Sequence, residues 1–541
     1  MIPISTPSSL RQGPRTTNTL VKNRYLILYL LIMILGAQPS IWMFWGYWQL
    51  LPTESIQFYI FFPFIFVVGI IILLFSSLFI SKIFLSLANL MHKPREGVFY
   101  RNKKDKDYCY WSIRAIIKKW PIWIGRQISI PCFEIYILKV FGLNIKGKVS
   151  LHEGWIDTEF IEIGNNVKLG QGSLILSSMI IQDKLILKKV KIDDNVIIGI
   201  HSVILPGTKI KKNTIIDANS STKINQILET ESIYRGSPCK KINKKSIIQN
   251  KKIFFEEVIK NEIEPKIKEK DNFQDENKEL GIAFHIYIAS GWIICGFSFF
   301  LPGILFFSYF HGFLEPNLLL ISIKLDFFLN IKIILILLTL PLVFIGMYLL
   351  HLFFVACNTR FIYKYVKKRG PNQGIFDRNL DNDAKALFYY HFKSFLFKYP
   401  IFAFIRSPFP WLINWELRFL GSNKIGKGTI IEETFLHSNV NTGKNCYLGT
   451  FSHITNHVVD GVYGEENLTY FETTMGDNVT FEAQTAALPG SIIGNNSGFF
   501  PISSTIKYDE LRGDSLYTNF PVKKIDKKDI FKILGENLDG K

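Results

Sequence analysis

Cysteine is scarce and scattered: six residues (Cys109, Cys132, Cys239, Cys295, Cys357 and Cys446), with no Cys-x-x-Cys pair and no metal-ligand spacing. That excludes a disulfide framework and a zinc module, and it suits soluble parts facing a reducing compartment. The polar, Ser/Thr/Pro-rich residues 1–22 lack the short apolar core and small-residue cleavage site of a signal peptide. No nucleic-acid recognition motif accompanies the net charge of +18. The basic residues gather beside apolar runs, which favours membrane topology and an anionic leaflet over nucleic acid.

Apolar side chains, 47 Phe among them, are concentrated in blocks. Tyr25–Leu50 and Phe58–Leu90 are each long enough to cross a bilayer; Gly36, Pro39 and Ser40 kink the first, and only Lys82 interrupts the second. The intervening LPTESIQ has no Lys or Arg, whereas Lys93, Arg95, Arg101, Lys103, Lys104 and Lys106 follow at once. The positive-inside rule therefore puts both ends of this hairpin in the cytoplasm. A second pair, Ile282–Phe313 and Ile333–Cys357, is followed by Arg360, Lys364, Lys367, Lys368 and Arg369 and reads the same way. The expectation is an integral membrane protein with four transmembrane helices and cytoplasmic termini. Behind each hairpin, basic aromatic residues (91–144 and 359–422) read as helices at headgroup depth, which makes membrane lipids expected partners.

From Val190 to Asn219 the sequence falls into sixes, VKIDDN VIIGIH SVILPG TKIKKN TIIDAN, with Ile192, Ile198, Ile204, Ile210 and Ile216 in one column. No helical period gives an apolar residue at every sixth position. A six-residue repeat of this kind is the signature of a parallel β-helix, with one short strand per hexad and three hexads per triangular coil. The aliphatic points inward, while Asp193-Asp194-Asn195 and Pro206-Gly207 suit the corners.

The chain then repeats itself. GVFYRN (Gly97–Asn102) recurs as GIFDRN (Gly374–Asn379), DDNVIIGIHSVILPG as GDNVTFEAQTAALPG, and IYRGSPCKKI as LYTNFPVKKI. The order is kept at offsets of 277, 279 and 283 residues. This reads as a duplicated unit: hairpin 23–90, juxtamembrane helices 91–144 and β-helix 145–242, then a charged linker 243–280, hairpin 281–358, juxtamembrane helices 359–422 and β-helix 423–525, with a tail 526–541. The second column reads Met475, Phe481, Ala487, Ile493 and Phe499. Its irregularity predicts looser packing, and it marks the copy in which to look for chemistry.

The copies diverge most at Thr455–Asn478, where a polar loop interrupts the hexads and His457 stands opposite Ser178. A histidine there can serve as a general base, since its unperturbed pKa lies near neutrality. Asp460 is the candidate to orient its ring, with Glu465, Glu466 and Asp477 as alternatives. His453 competes for the same role, and His453, Asn456 and Asp477 are candidates for holding donor or acceptor. A surface or purely structural histidine is the plainer reading of each. His201, at a corner opposite Gln484, reads as solvated, and His152 shows no carboxylate partner.

The five hexads, the ILPG corner and the terminal YRGSP resemble the hexapeptide-repeat acyltransferases, whose β-helices are left-handed. The alternation of hairpins and β-helices resembles, over nearly the whole chain, the C-terminal membrane region of certain nonribosomal peptide synthetases such as ε-poly-L-lysine synthetase. That family carries Thr-His followed by Asp-Arg; here Asn456-His457 and Asp460-Gly461 stand in those places without the Arg, and the first copy has Ser178-Met179 and Asp183-Lys184. The resemblance implies an α + β membrane protein in which two transmembrane hairpins alternate with two left-handed β-helices, one active and one structural. It implies acyl transfer to an amine or hydroxyl, peptide-bond formation included. The donor would be a thioester, coenzyme A or carrier-protein phosphopantetheine, with no tightly bound cofactor and no metal. The chain has no adenylation motif and no carrier-domain serine, so a carrier or adenylation-domain protein is an expected partner. A homo-oligomer completing a threefold arrangement and an internal pseudo-dimer are both open. Two other readings stand beside this one: a non-catalytic scaffold docking synthetase or carrier proteins, and a polysaccharide or lipid O-acyltransferase.

Overall fold

The computed structural model describes residues 16–128, 131–151, 154–242, 284–319, 330–371, 373–377, 384–460 and 467–526. The charged linker, His152, Glu465, Glu466 and all but the first residue of the C-terminal tail lie outside the described residues.

Apolar continuity makes the long helices: Tyr25–Leu50 (α1), Ile56–Met91 (α2), then Lys106–Ile128 (α3) and Pro131–Val140 (α4). The second series is Phe284–Tyr309 (α5), running on as a π-helix to Leu319, then Ile331–Lys367 (α6), Ala384–Ile405 (α7) and Ile413–Leu420 (α8). Four of these stretches, Tyr25–Leu50, Ile56–Met91, His285–Leu319 and Ile331–Lys367, are long and apolar enough to cross a membrane. Small residues let the first pair approach closely: a Cβ on Gly36 would lie 2.5 Å from Ser77 Oγ, and Ser40 Oγ donates to Gly69 O at 2.9 Å. Phe64, Phe79, Phe297 and Phe300 point outward, as side chains facing lipid do.

Residues 144–242 wind through three parallel sheets, and successive strands visit each face in turn. Ile192 pairs with Ile210 and Ile198 with Ile216, so one coil takes three hexads. The five isoleucines of the column are all buried. The corners need a left-handed backbone, and Asn166, Asn195 and Asn213 supply it with φ of 55°, 57° and 56°. Their amides form a ladder up the edge, Asn166 Nδ2 to Asn195 Oδ1 at 2.9 Å and Asn195 Nδ2 to Asn213 Oδ1 at 3.2 Å. Residues 424–524 form a second set of sheets with the same strand order.

The second column is not loose. Met475, Phe481, Ala487, Ile493 and Phe499 are all buried, and the rings of Phe481 and Phe499 stack at 4.4 Å with Tyr517 next at 5.2 Å. Coil spacing matches ring-stacking distance, so large rings on one face are balanced by Ala487 on another.

At the head of this β-helix α8 buries Ile413, Leu417 and Leu420, and with them Glu416, whose carboxylate has no partner among the described residues. Burial pushes its pKa up to about 8 from an ordinary 4.5. The unfolded chain releases this proton above pH 4.5 and the folded chain keeps it to about pH 8, so folding is penalised increasingly as pH rises across that window. Glu416→Leu is expected to raise stability by about 1–3 kcal/mol at pH 8 and by less at pH 5, measured by denaturant unfolding at the two pH values.

The two β-helices pack together through Leu174, Met179, Ile181 and Val203 of the first and Phe451, Ala483, Phe500 and Leu516 of the second. The polar N-terminal segment is tied down from Thr16 onward. Asn18 N donates to both carboxylate oxygens of Glu432 (3.0 and 2.8 Å), and Lys119 Nζ donates to Thr16 O and Asn18 Oδ1.

Candidate active site

In each half the chain leaves the three-stranded sheet at one corner and makes an antiparallel hairpin before rejoining the coil. The first hairpin pairs Ser178–Ile181 with Lys184–Leu187, and the second pairs His457–Asp460 with Asn467–Tyr470. Each hairpin takes a third strand from just ahead of a helix, Gly97–Tyr100 before α3 and Gly374–Asp377 before α7. This brings α7 over His457.

His457 Nδ1 lies 3.1 Å from Asn456 Oδ1 and 3.2 Å from Thr455 Oγ1. An amide oxygen only accepts, and the Thr455 hydroxyl gives its hydrogen to His457 O at 2.8 Å, so both groups ask Nδ1 for a proton. Nδ1 is therefore the protonated nitrogen, and Nε2 keeps its lone pair. Asn456 is itself held by Ser438, its Nδ2 donating to Oγ at 3.1 Å. The imidazole is boxed in edge-on by His437 at 4.5 Å and Tyr390 at 5.3 Å, and His437 in turn faces His453 at 5.8 Å.

The amide acceptor at Nδ1 is thus Asn456, the preceding residue in the chain. The backbone of Asp460 pairs with Asn467 three residues further along the strand, roughly 10 Å from His457 at a rise of about 3.3 Å per residue. Asp477 is not gathered with the histidines either: its carboxylate accepts the Lys444 N–H at 2.7 Å at an exposed corner. Nε2 of His453 is buried without a partner among the described residues. Among the described residues no group of three His, Cys, Asp or Glu side chains could hold a metal.

Burial, with like charges around it, keeps these rings neutral. His457 is held down to about 4 by burial first and then by His453 and His391; His453 falls to about 4 by burial, and His437 falls well below its ordinary value. The unfolded rings take protons near pH 6.5, whereas the folded ones wait until about pH 4. Stability that is complete above pH 6.5 is therefore lost as pH falls through that window. We expect ring resonances of His453 and His457 to titrate near pH 4 by NMR, and thermal unfolding to fall between pH 6.5 and 4.5. Replacing His437 and His453 by Asn should flatten that slope.

The tyrosines continue the site. Tyr390 stands edge-on to Tyr470 at 5.4 Å, and the Tyr470 hydroxyl accepts from Asn439 Nδ2 at 2.7 Å and from the ammonium of Lys393. Lys393 is buried on α7 with its ammonium 4.5 Å from the Tyr470 ring centroid, and burial lowers its pKa to about 8. Beside Asn439 a cleft of about 690 Å³ opens, lined by Lys367, Arg418, Lys424 and Glu472 among others.

The corresponding corner of the first β-helix carries hydrogen-bonded carboxylates in place of the histidines. Asp157 accepts from Ser178 N at 2.9 Å and Oγ at 2.6 Å, while Arg114 and Lys118 both reach Glu159 Oε1, at 2.9 and 2.7 Å. Arg114 holds the place of Lys393 on its helix, and Asp157 that of His437. His437, Tyr390 and Lys393 escape a reading of the sequence. The one available signal for His437 was the corner itself, DTEF in the first half against HSN in the second.

No family model and no curated protein matches the chain. Solved structures do. An N-acyltransferase, AntD from Bacillus cereus, crystallised with dTDP-4-amino-4,6-dideoxyglucose and coenzyme A, aligns at 22% identity over 21% of this chain and 73% of its own, with a TM-score of 0.16. A maltose O-acetyltransferase from Clostridium difficile aligns at 24% identity over 21% of this chain and 76% of its own, TM-score 0.19. A hexapeptide-repeat acetyltransferase from Vibrio cholerae, complexed with acetyl coenzyme A, aligns at 18% identity over 23% and 84%, TM-score 0.20.

Proposed function

We propose that the chain is a membrane-embedded acyltransferase whose second β-helix, left-handed like those it resembles, carries the active centre, and whose first is structural. The observation that carries this reading is the state of His457: an imidazole pinned through Nδ1–H by Asn456 and Thr455, kept neutral, with Nε2 bearing the lone pair. Nε2 would take the proton of an amine or hydroxyl as its nitrogen or oxygen attacks the carbonyl of a thioester. The tetrahedral intermediate would expel the thiolate, and the imidazolium would return the proton to that sulfur. General-base action of this kind is worth about 100- to 10,000-fold. The Lys367, Arg418 and Lys424 side of the cleft suits the phosphate of coenzyme A or of a carrier's phosphopantetheine. The acyl group, aminoacyl included, would be activated by another protein, and the four apolar helices would hold both β-helices at the cytoplasmic face.

The test is thiol release from acyl-CoA and from carrier-loaded aminoacyl thioesters by the protein in lipid nanodiscs, with lysine, amino sugars and glycans as acceptors. Acceptor-dependent release supports the reading. Its absence with every donor sinks it in favour of a docking scaffold.

A further inference from the structure

The two β-helices meet head to tail, each using a different surface. The first offers its hairpin strand Ser178–Ile181 and the outward residues Trp155, Leu174 and Val203, all buried. The second offers the outer face of its six-stranded sheet. Gln182 N donates to Thr480 Oγ1 at 3.0 Å, Ile180 N donates to Glu482 Oε1 at 3.0 Å, and a Cβ on Gly498 would lie 3.0 Å from Ile181 Cγ1.

Among the described residues nothing covers the same two surfaces on the opposite units. Val459, the counterpart of Ile180 on the second hairpin, is 47% exposed where Ile180 is 2% exposed. Phe435 and Ala486, the counterparts of Trp155 and Val203, are only half-buried. On the first β-helix Ile197, Ile200 and Ile215 are 39%, 49% and 37% exposed, although they correspond to the buried Thr480, Ala483 and Gly498. Ile197 pairs with Ile215 as Thr480 pairs with Gly498, so the apolar patch has the register of the face that makes the internal contact. A head-to-tail contact used once leaves one surface of each kind unused. Here both unused surfaces are on the same chain, and solvent-facing isoleucines at those positions mark a surface built to be covered.

The contact also closes a pocket. The small cavity at Ser178, about 50 Å³, is walled from the second β-helix by Tyr447, Thr450, Glu482 and Ala483. Their counterparts on the first β-helix are Lys168, Gln171, Gly199 and Ile200. We infer that a second copy of this chain seats its first β-helix on the open flank of the second β-helix by the contact already made internally, and so walls the corner that carries His457 with Lys168 and Ile200. Calling that corner an active site rests on the acyl-transfer reading; the association does not.

The experiment mixes two differently tagged chains, one carrying Val459→Cys and the other Ile197→Cys, in nanodiscs with a short bismaleimide linker. Native mass spectrometry is run on the unaltered protein. The expected results are a cross-link joining one tag to the other, absent from the parent and from either variant alone, and a mass of two or more chains. Ile197→Asp with Ile200→Asp should reduce the mass to one chain without shifting thermal unfolding, since both positions are exposed. A single-chain mass for the unaltered protein, or an oligomer that gives no such cross-link, overturns the inference. An oligomer with the cross-link but without thioester turnover would instead sink the acyl-transfer reading alone.

Discussion

His457→Ala is expected to lower kcat for thioester-dependent transfer by about 100- to 10,000-fold with little change in the apparent affinity for donor, because a general base acts in the transition state and not in binding. The fold should survive, since the ring's hydrogen bonds are with its immediate neighbours Thr455 and Asn456. The same geometry separates this outcome from a structural one. Asn456→Ala leaves an imidazole in place but removes the acceptor that fixes its tautomer. It should therefore cost activity at all pH values, whereas Asn456→Asp should restore part of it and lift the ring's pKa by placing a carboxylate at Nδ1. Undiminished turnover in His457→Ala would remove this residue as the base. His453, whose ring shares the pocket edge through His437, would be next to test.

The largest stability effect is expected at the aromatic stack. Phe499 is fully buried between Phe481 and Tyr517, and Phe499→Ala should cost about 3–5 kcal/mol in denaturant unfolding. Ile216 stands at the same place in the first β-helix, and its truncation to Ala should cost about 2–5 kcal/mol. The distinguishing measurement is a double-mutant cycle. Ala487→Ile alone overfills a core already occupied by rings and should destabilise by about 1–3 kcal/mol. Combined with Phe481→Ile it rebuilds the isoleucine layer of the first β-helix, and the pair should cost less than the sum of the singles. Simple additivity would show that the rings and Ala487 do not share one packing problem.

The six-residue period was legible because the coil imposes it locally: an inward aliphatic, then a corner that tolerates Asn or Gly. Counting to eighteen gave the Ile192–Ile210 register. The four apolar stretches were legible for the same reason, being properties of contiguous residues. His457 stood out because a hexad is interrupted there. Its surroundings did not, because they come from separate elements: His437 from the coil before, Tyr390 and Lys393 from a helix more than sixty residues earlier. The expectation of a carboxylate partner followed the usual catalytic pattern, whereas here an amide next in the chain supplies the acceptor. The irregular second column predicts looser packing because sequence shows side-chain size without showing what stacks on it.

The strap at Thr16–Val21 has a consequence for how the chain is made. Asn18 leaves the ribosome 414 residues ahead of Glu432, the carboxylate that receives its N–H. At about 5–20 residues per second that interval is roughly 20–80 s. During it both helices of the first hairpin and the whole first β-helix are complete, yet the seat for the strap does not exist. The N-terminal segment can therefore dock on Glu432 only after the second β-helix has begun to wind, late in assembly. It is a closing latch, and a natural point at which unfinished chains can be told from finished ones.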